Sequence, residues 1–180
     1  MDDWKSTEWQ EKTWQKPSRY WIRDEIEEII KEENIDRTKF SEYSKIKYDE
    51  IIRKFYYTFC DYRNFTPSVI PLEHYHMHLR ENLECECIAG FLRSCNWITY
   101  LEEIRNEIPE TAGKYFLILS AGWVYEGCPE EITKVLSETD GWLDDFIILS
   151  KYFDWFIIHD DIAECAFLYR RFVHNAESIQ

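Results

Sequence analysis

The densest run of possible metal ligands is His74-Tyr-His-Met-His78, followed by Cys85-Glu-Cys87. Imidazoles and thiolates are zinc ligands. On a strand, His74 and His76 share a face and could chelate together. His74 and His78 would then lie roughly 13 Å apart, too far for one tetrahedral site. On a helix, His74 and His78 fall at i, i+4 and His76 points elsewhere. Neither geometry gathers three histidines, and C-x2-C and H-E-x-x-H spacings are absent. The segment reads as a half-exposed strand over residues 73–79 with small, reduced thiols nearby. A zinc-dependent enzyme built on 74–87 is the lesser alternative.

Other reactive arrangements are weaker. Acid pairs recur at Glu102-Glu103, Glu130-Glu131, Asp144-Asp145 and Asp160-Asp161. General acid–base work needs carboxylates opposed across a cleft, whereas adjacent acids on a loop are usually solvated. Ser120-Ala-Gly122 and Glu126-Gly127 match neither a phosphate loop nor a dinucleotide fingerprint, so no cofactor is expected. Nothing like G-x-S-x-G surrounds Ser120. His159 ends a strand before two aspartates and reads as structural.

What remains is charge. The chain holds 21 basic and 35 acidic residues, a net of −14. Residues 101–165 hold 4 Lys/Arg against 15 Asp/Glu, a net of −11, so nearly all the excess lies there. Such a surface repels nucleic acid and membranes and attracts basic proteins. The acids fall mainly at strand ends and turns: Glu126, Glu130, Glu131, Asp144, Asp145, Asp154, Asp160 and Asp161. Trp123, Tyr125 and Trp142 lie in neighbouring loops. Aromatic anchors ringed by carboxylates suit a binder of a basic protein, the rings for affinity and the charge for association rate.

The elements that must position these residues divide the chain. A Trp-rich segment, 1–18, carries Trp4, Trp9 and Trp14 at a five-residue step that is neither helical nor extended. Helices are expected over 19–34, with Tyr20/Trp21, Ile26 and Ile29/Ile30 as the apolar stripe, over 41–61, with Ser41 as its cap, and over 96–108. From Gly113 the period shortens. Tyr115–Leu119 is a strand, Gly122 and Gly127 bracket a turn, and Pro129 opens a helix through Leu136. Phe146–Leu149, Trp155–Ile158 and Cys165–Leu168 are three short strands. Residues 113–172 thus form a β-α-β-β-β unit. The fold is a single α+β domain over 1–180, with 19–110 mainly helical and a small, mostly antiparallel sheet behind it.

Aromatic residues at 17% exclude a disordered acidic tail. No apolar run approaches eighteen residues. Met1-Asp2-Asp3-Trp4 opens no export signal, so a cytoplasmic location with all six cysteines reduced is expected.

The block Tyr115–Leu168, above all Asp145-Phe-Ile-Ile-Leu-Ser-Lys-Tyr-Phe-Asp-Trp155 leading to His159-Asp-Asp161, resembles small cytosolic bacterial immunity proteins. Those proteins neutralise contact-dependent growth inhibition or other polymorphic toxins. The resemblance is one of character: small, acidic, aromatic-rich and without a catalytic motif. It implies a non-enzymatic protein whose partner is a toxin domain, often a basic nuclease, with the acidic face covering the toxin's substrate groove. A nucleic-acid mimic that inhibits another basic protein shares the same physics.

Overall fold

The computed structural model describes residues 21–61, 79–93, 96–108, 113–120, 122–139 and 142–172. Residues 73–78 of the strand expected over 73–79, with its three histidines, and the Trp-rich segment lie outside them, while Leu79 is buried and helical at the N-terminal side of a 3-10 turn, Arg80–Asn82.

Helix α1, Trp21–Glu32, buries Ile22, Ile26, Ile29 and Ile30. The stripe therefore runs through Ile22. Trp21 was expected in it, but is 53% exposed. The chain leaves α1 through Asn34, whose φ of 50° suits asparagine at a helix end. Ser41 does not cap a helix. It sits in strand β1, Phe40–Glu42, paired with Glu126. A short 3-10 turn at Lys45–Lys47 intervenes, and α2 begins only at Tyr48 and ends at Phe59. Pairing across the sheet uses the Ser41 backbone, and that ladder overrides the local capping signal.

Strand β2, Cys85–Leu92, leads to α3, Trp97–Asn106. The Asn96 side chain caps α3 by accepting hydrogen bonds from Ile98 N–H at 2.9 Å and Thr99 N–H at 3.3 Å. Strands β3, Tyr115–Leu119, and β4, Val124–Gly127, form a hairpin closed at Gly122, whose φ is 76°. Gly122 and Gly127 were expected to bracket a turn, yet most of that interval is strand. Helix α4, Pro129–Ser137, opens on proline, and β5, Phe146–Leu149, β6, Trp155–Asp160, and β7, Cys165–Arg171, follow as a meander.

The seven strands form one antiparallel sheet in the order β1-β4-β3-β5-β6-β7-β2. Register places Phe116, Leu149, Phe156 and Tyr169 in a row on one face. Helix α2 covers it, with Phe55 and Phe59 ring centres 4.9 and 4.8 Å from Phe156. Leu117, Ile148, Ile157 and Leu168 form the matching row on the other face. There α3 brings Tyr100 onto His159, and α1 brings Glu27 to the Tyr125 hydroxyl. Trp97 Nε1 donates to Leu136 O at 2.7 Å and ties α3 to α4. The fold is α+β, with the described helices mostly N-terminal to the strands. Among the described residues no helix is long and apolar enough to cross a membrane.

Candidate functional site

The expected interface residues separate into three groups. Trp123 and Tyr125 are core residues, 5% and 0% exposed, and not surface anchors. Tyr125 stacks on Phe40 at 5.2 Å, and Trp123 meets Tyr48 edge-on at 6.2 Å. Loops were expected at 122–127. Instead β4 pairing fixes Tyr125, and Trp123, just before the strand, is held in the hairpin by its carbonyl, which accepts from Leu119 N–H at 2.9 Å.

Asp145 and Asp160 are also buried, at 6% and 2% exposure, and they hold backbone rather than face a partner. Asp145 Oδ1 accepts from Asp161 N–H at 2.8 Å, and Asp160 Oδ1 accepts from Ala163 N–H at 2.7 Å. Together they fix the β6–β7 turn, which ends at Glu164 with a φ of 47°. Glu126 is on the surface but compensated. Burial alone would raise its pKa, yet hydrogen bonds from Lys151 and Lys114 outweigh burial and hold it below the usual carboxylate range. Glu131 is paired with Lys39 at 3.2 Å.

Glu130, Trp142, Asp144, Asp154 and Asp161 remain at or near the surface. Burial, then the Asp161 charge, pushes the Asp144 pKa up, while Ser120 Oγ at 3.5 Å partly opposes this. Of the tryptophans expected as anchors, Trp142 alone is partly exposed. Its ring packs on the exposed Trp21 at 5.8 Å.

Trp142 also lines a cleft of about 200 Å³ with Glu25, Glu28, Ile29, Glu32, Glu33 and Glu138. Glu25, Glu28 and Glu32 follow i, i+3, i+7 along one face of α1, so the helix projects three carboxylates to one side. Glu138 arrives from the C-terminal end of α4, and Trp142 from the connection to β5. Lys134 neutralises Glu33 at 3.1 Å, and among the described residues no basic side chain lines the cleft itself. This arrangement presents negative charge beside an indole face, which attracts ammonium and guanidinium groups through both the carboxylates and the ring quadrupole. The α1 glutamates were visible in the sequence only as favourable residues for the helix dipole. Their meeting with Trp142 is a tertiary event.

Of the possible metal ligands at 74–87, Cys85 and Cys87 lie among the described residues. Cys85 is half-buried, and burial, then the Cys87 charge, pushes its thiol pKa up to about 12. Among the described residues, no group of three His, Cys, Asp or Glu side chains could hold a metal ion. His159 is fully buried, shares a 2.9 Å hydrogen bond with the Tyr100 hydroxyl, and lies against the Trp97 and Phe146 rings. Burial, reinforced by Arg93, pushes its pKa down to about 4, so the ring is neutral at pH 7.

A family model matches residues 18–180. The chain belongs to DUF6756, a family of unknown function. No curated protein and no solved structure matches the chain. In this DUF6756 chain the match spans all four described helices and all seven strands, the acidic cleft included.

Proposed function

We propose that this protein binds a basic protein toxin, of the nuclease kind, and neutralises it as an immunity protein does. The observation that carries the reading is the cleft between α1 and α4, where Glu25, Glu28, Glu32 and Glu138 surround Trp142. Binding, not catalysis, is its work. The surface acids at Glu130, Asp144, Asp154 and Asp161 extend the negative field beyond the cleft. The net charge of −14 favours rapid encounter with a positively charged partner. Trp142 supplies the kind of aromatic anchor on which slow dissociation depends.

The test uses the product of the reading frame beside the gene. That product should arrest growth when expressed alone, and co-expression with this chain should relieve the arrest. Calorimetry should give a one-to-one complex. Changing Glu25→Gln, Glu28→Gln and Glu32→Gln together should slow association about tenfold or more at low salt. The difference should shrink at high salt, where charges are screened within a few ångströms. Trp142→Ala should leave association nearly unchanged and speed dissociation. A neighbouring product that is harmless to growth, or a triple variant that associates at the wild-type rate in low salt, would sink the reading.

A further inference from the structure

Strand β2 is the longest in the sheet and lies at its edge. It pairs with β7 on one side, and among the described residues no strand pairs with its outer side. Solvent reaches Glu86, Cys87, Ile88, Gly90 and Leu92, with Ile88 42% and Leu92 78% exposed. An open edge offers unpaired N–H and C=O groups to another chain, and natural edges are usually short or charged. The opposite edge, β1, has only three residues. β2 has eight and carries no charge from Cys87 to Leu92.

Hydrogen bonding fixes which amides point outward. Arg93 N–H donates to Glu164 O at 2.8 Å, so residue 93 turns its backbone polar groups toward the β6–β7 hairpin. In an antiparallel strand these groups alternate sides. Leu92 and Gly90 therefore present theirs to the outer edge. The register is regular from Ala89↔Leu168 to Leu92↔Cys165, and the bulge between Cys87 and Ala89 falls on Ile88, at the end of that run.

We propose that a second copy of this chain adds to the β2 edge, antiparallel, about a two-fold axis at Gly90. Two molecules of charge −14 repel each other across most of their surface, so a contact between them needs a strip that is uncharged or whose charges are matched. The strip Ile88-Ala-Gly-Phe-Leu92 meets that condition. A two-fold at Gly90 sets Gly90 against Gly90, Ala89 against Phe91, and Ile88 against Leu92. The outward amide of each Gly90 then donates to the carbonyl of its mate, as a hydrogen-bonded antiparallel pair requires. The Glu86 end of each copy comes to the Arg93 end of the other, so unlike charges meet at both limits of the strip. The contact is self-complementary, the condition for a closed dimer. One strand per copy buries little area, which makes a weak, concentration-dependent dimer.

Sedimentation velocity of the full chain, from micromolar to near-millimolar concentration, tests this directly. The wild-type chain should shift from monomer to dimer. Ile88→Lys with Leu92→Lys should stay monomeric over the same range with an unchanged thermal midpoint, since both side chains are exposed. Hydrogen exchange on the wild-type chain gives a readout independent of those variants. The Gly90 and Leu92 amides should exchange several-fold more slowly at high concentration than at low. A chain that is monomeric throughout overturns the proposal. So does a dimer that persists in the lysine variant, or one that leaves both amides unprotected. Protection of Gly90 only on adding the neighbouring gene's product would assign the edge to a foreign strand instead.

Discussion

His159 shows how one buried side chain couples folding to pH. The unfolded imidazole takes up a proton near 6.5, whereas the folded one does so only near 4. Between those values the unfolded chain binds more protons. The contribution is therefore whole above about pH 6.5 and is lost as pH falls to about 4. A gap of that size is worth at most about 3 kcal/mol. His159→Gln removes the titration, so unfolding free energies measured by denaturant at pH 7 and pH 4.5 should differ less in the variant. Equal slopes in the two proteins would show that other groups carry the acid sensitivity. Asp144 and Asp145 make a second residue-scale contrast. They are neighbours of identical type, yet Asp145 is buried and accepts from Asp161 N–H, while Asp144 is exposed. Asp145→Ala should cost about 1–3 kcal/mol, because the part-buried Asp161 N–H loses its acceptor. Asp144→Asn should change stability by about 0.5 kcal/mol or less. Thermal melts of the two variants side by side check the difference. Sequence alone gave both residues the same surface role.

At the scale of elements, β4 decides how the helices meet the sheet. A Cβ at Gly127 would lie 2.4 Å from Phe40 Cδ2 and 2.9 Å from Ile132 Cγ1. Glycine there lets β1 and α4 close onto the strand, which is why Gly127 is not a turn residue. Gly127→Ala should destabilise by about 1–3 kcal/mol through overpacking, read as a lower denaturation midpoint with an unchanged slope. Elements with strong local signals were legible. The Ile stripe of α1, Pro129 at the start of α4, and the three apolar runs of the meander are all where their patterns put them, within a few residues. Elements defined by pairing were not. β1 has three residues, β4 has four and ends on a glycine, and β2 carries a bulge, so none shows a clean period of two. Their partners, distant in sequence, make them strands.

At the scale of the whole molecule, charge placement matters more than charge total. Residues 101–165 hold most of the formal excess, yet within them Glu126, Glu131, Asp145 and Asp160 are paired, neutralised or buried. The cleft draws four of its acids from α1 and the residue that follows it, outside that interval. Under the proposed toxin binding, salt should therefore weaken association mainly through Glu25, Glu28, Glu32 and Glu138. Removing Asp145 or Asp160 should act through folding instead.

The sequence by itself determined the fold class, the existence of the long helices and of the meander, and a strongly acidic character. Those properties rest on composition and on periods read within ten or twenty residues. Tertiary structure decided the rest. It took Trp123 and Tyr125 into the core through the β3–β4 hairpin, and it spent Asp145 and Asp160 on a turn. It also carried Trp142 to the glutamates of α1, more than a hundred residues earlier in the chain. No local pattern encodes such a meeting, because it depends on where separate elements pack once the sheet has formed.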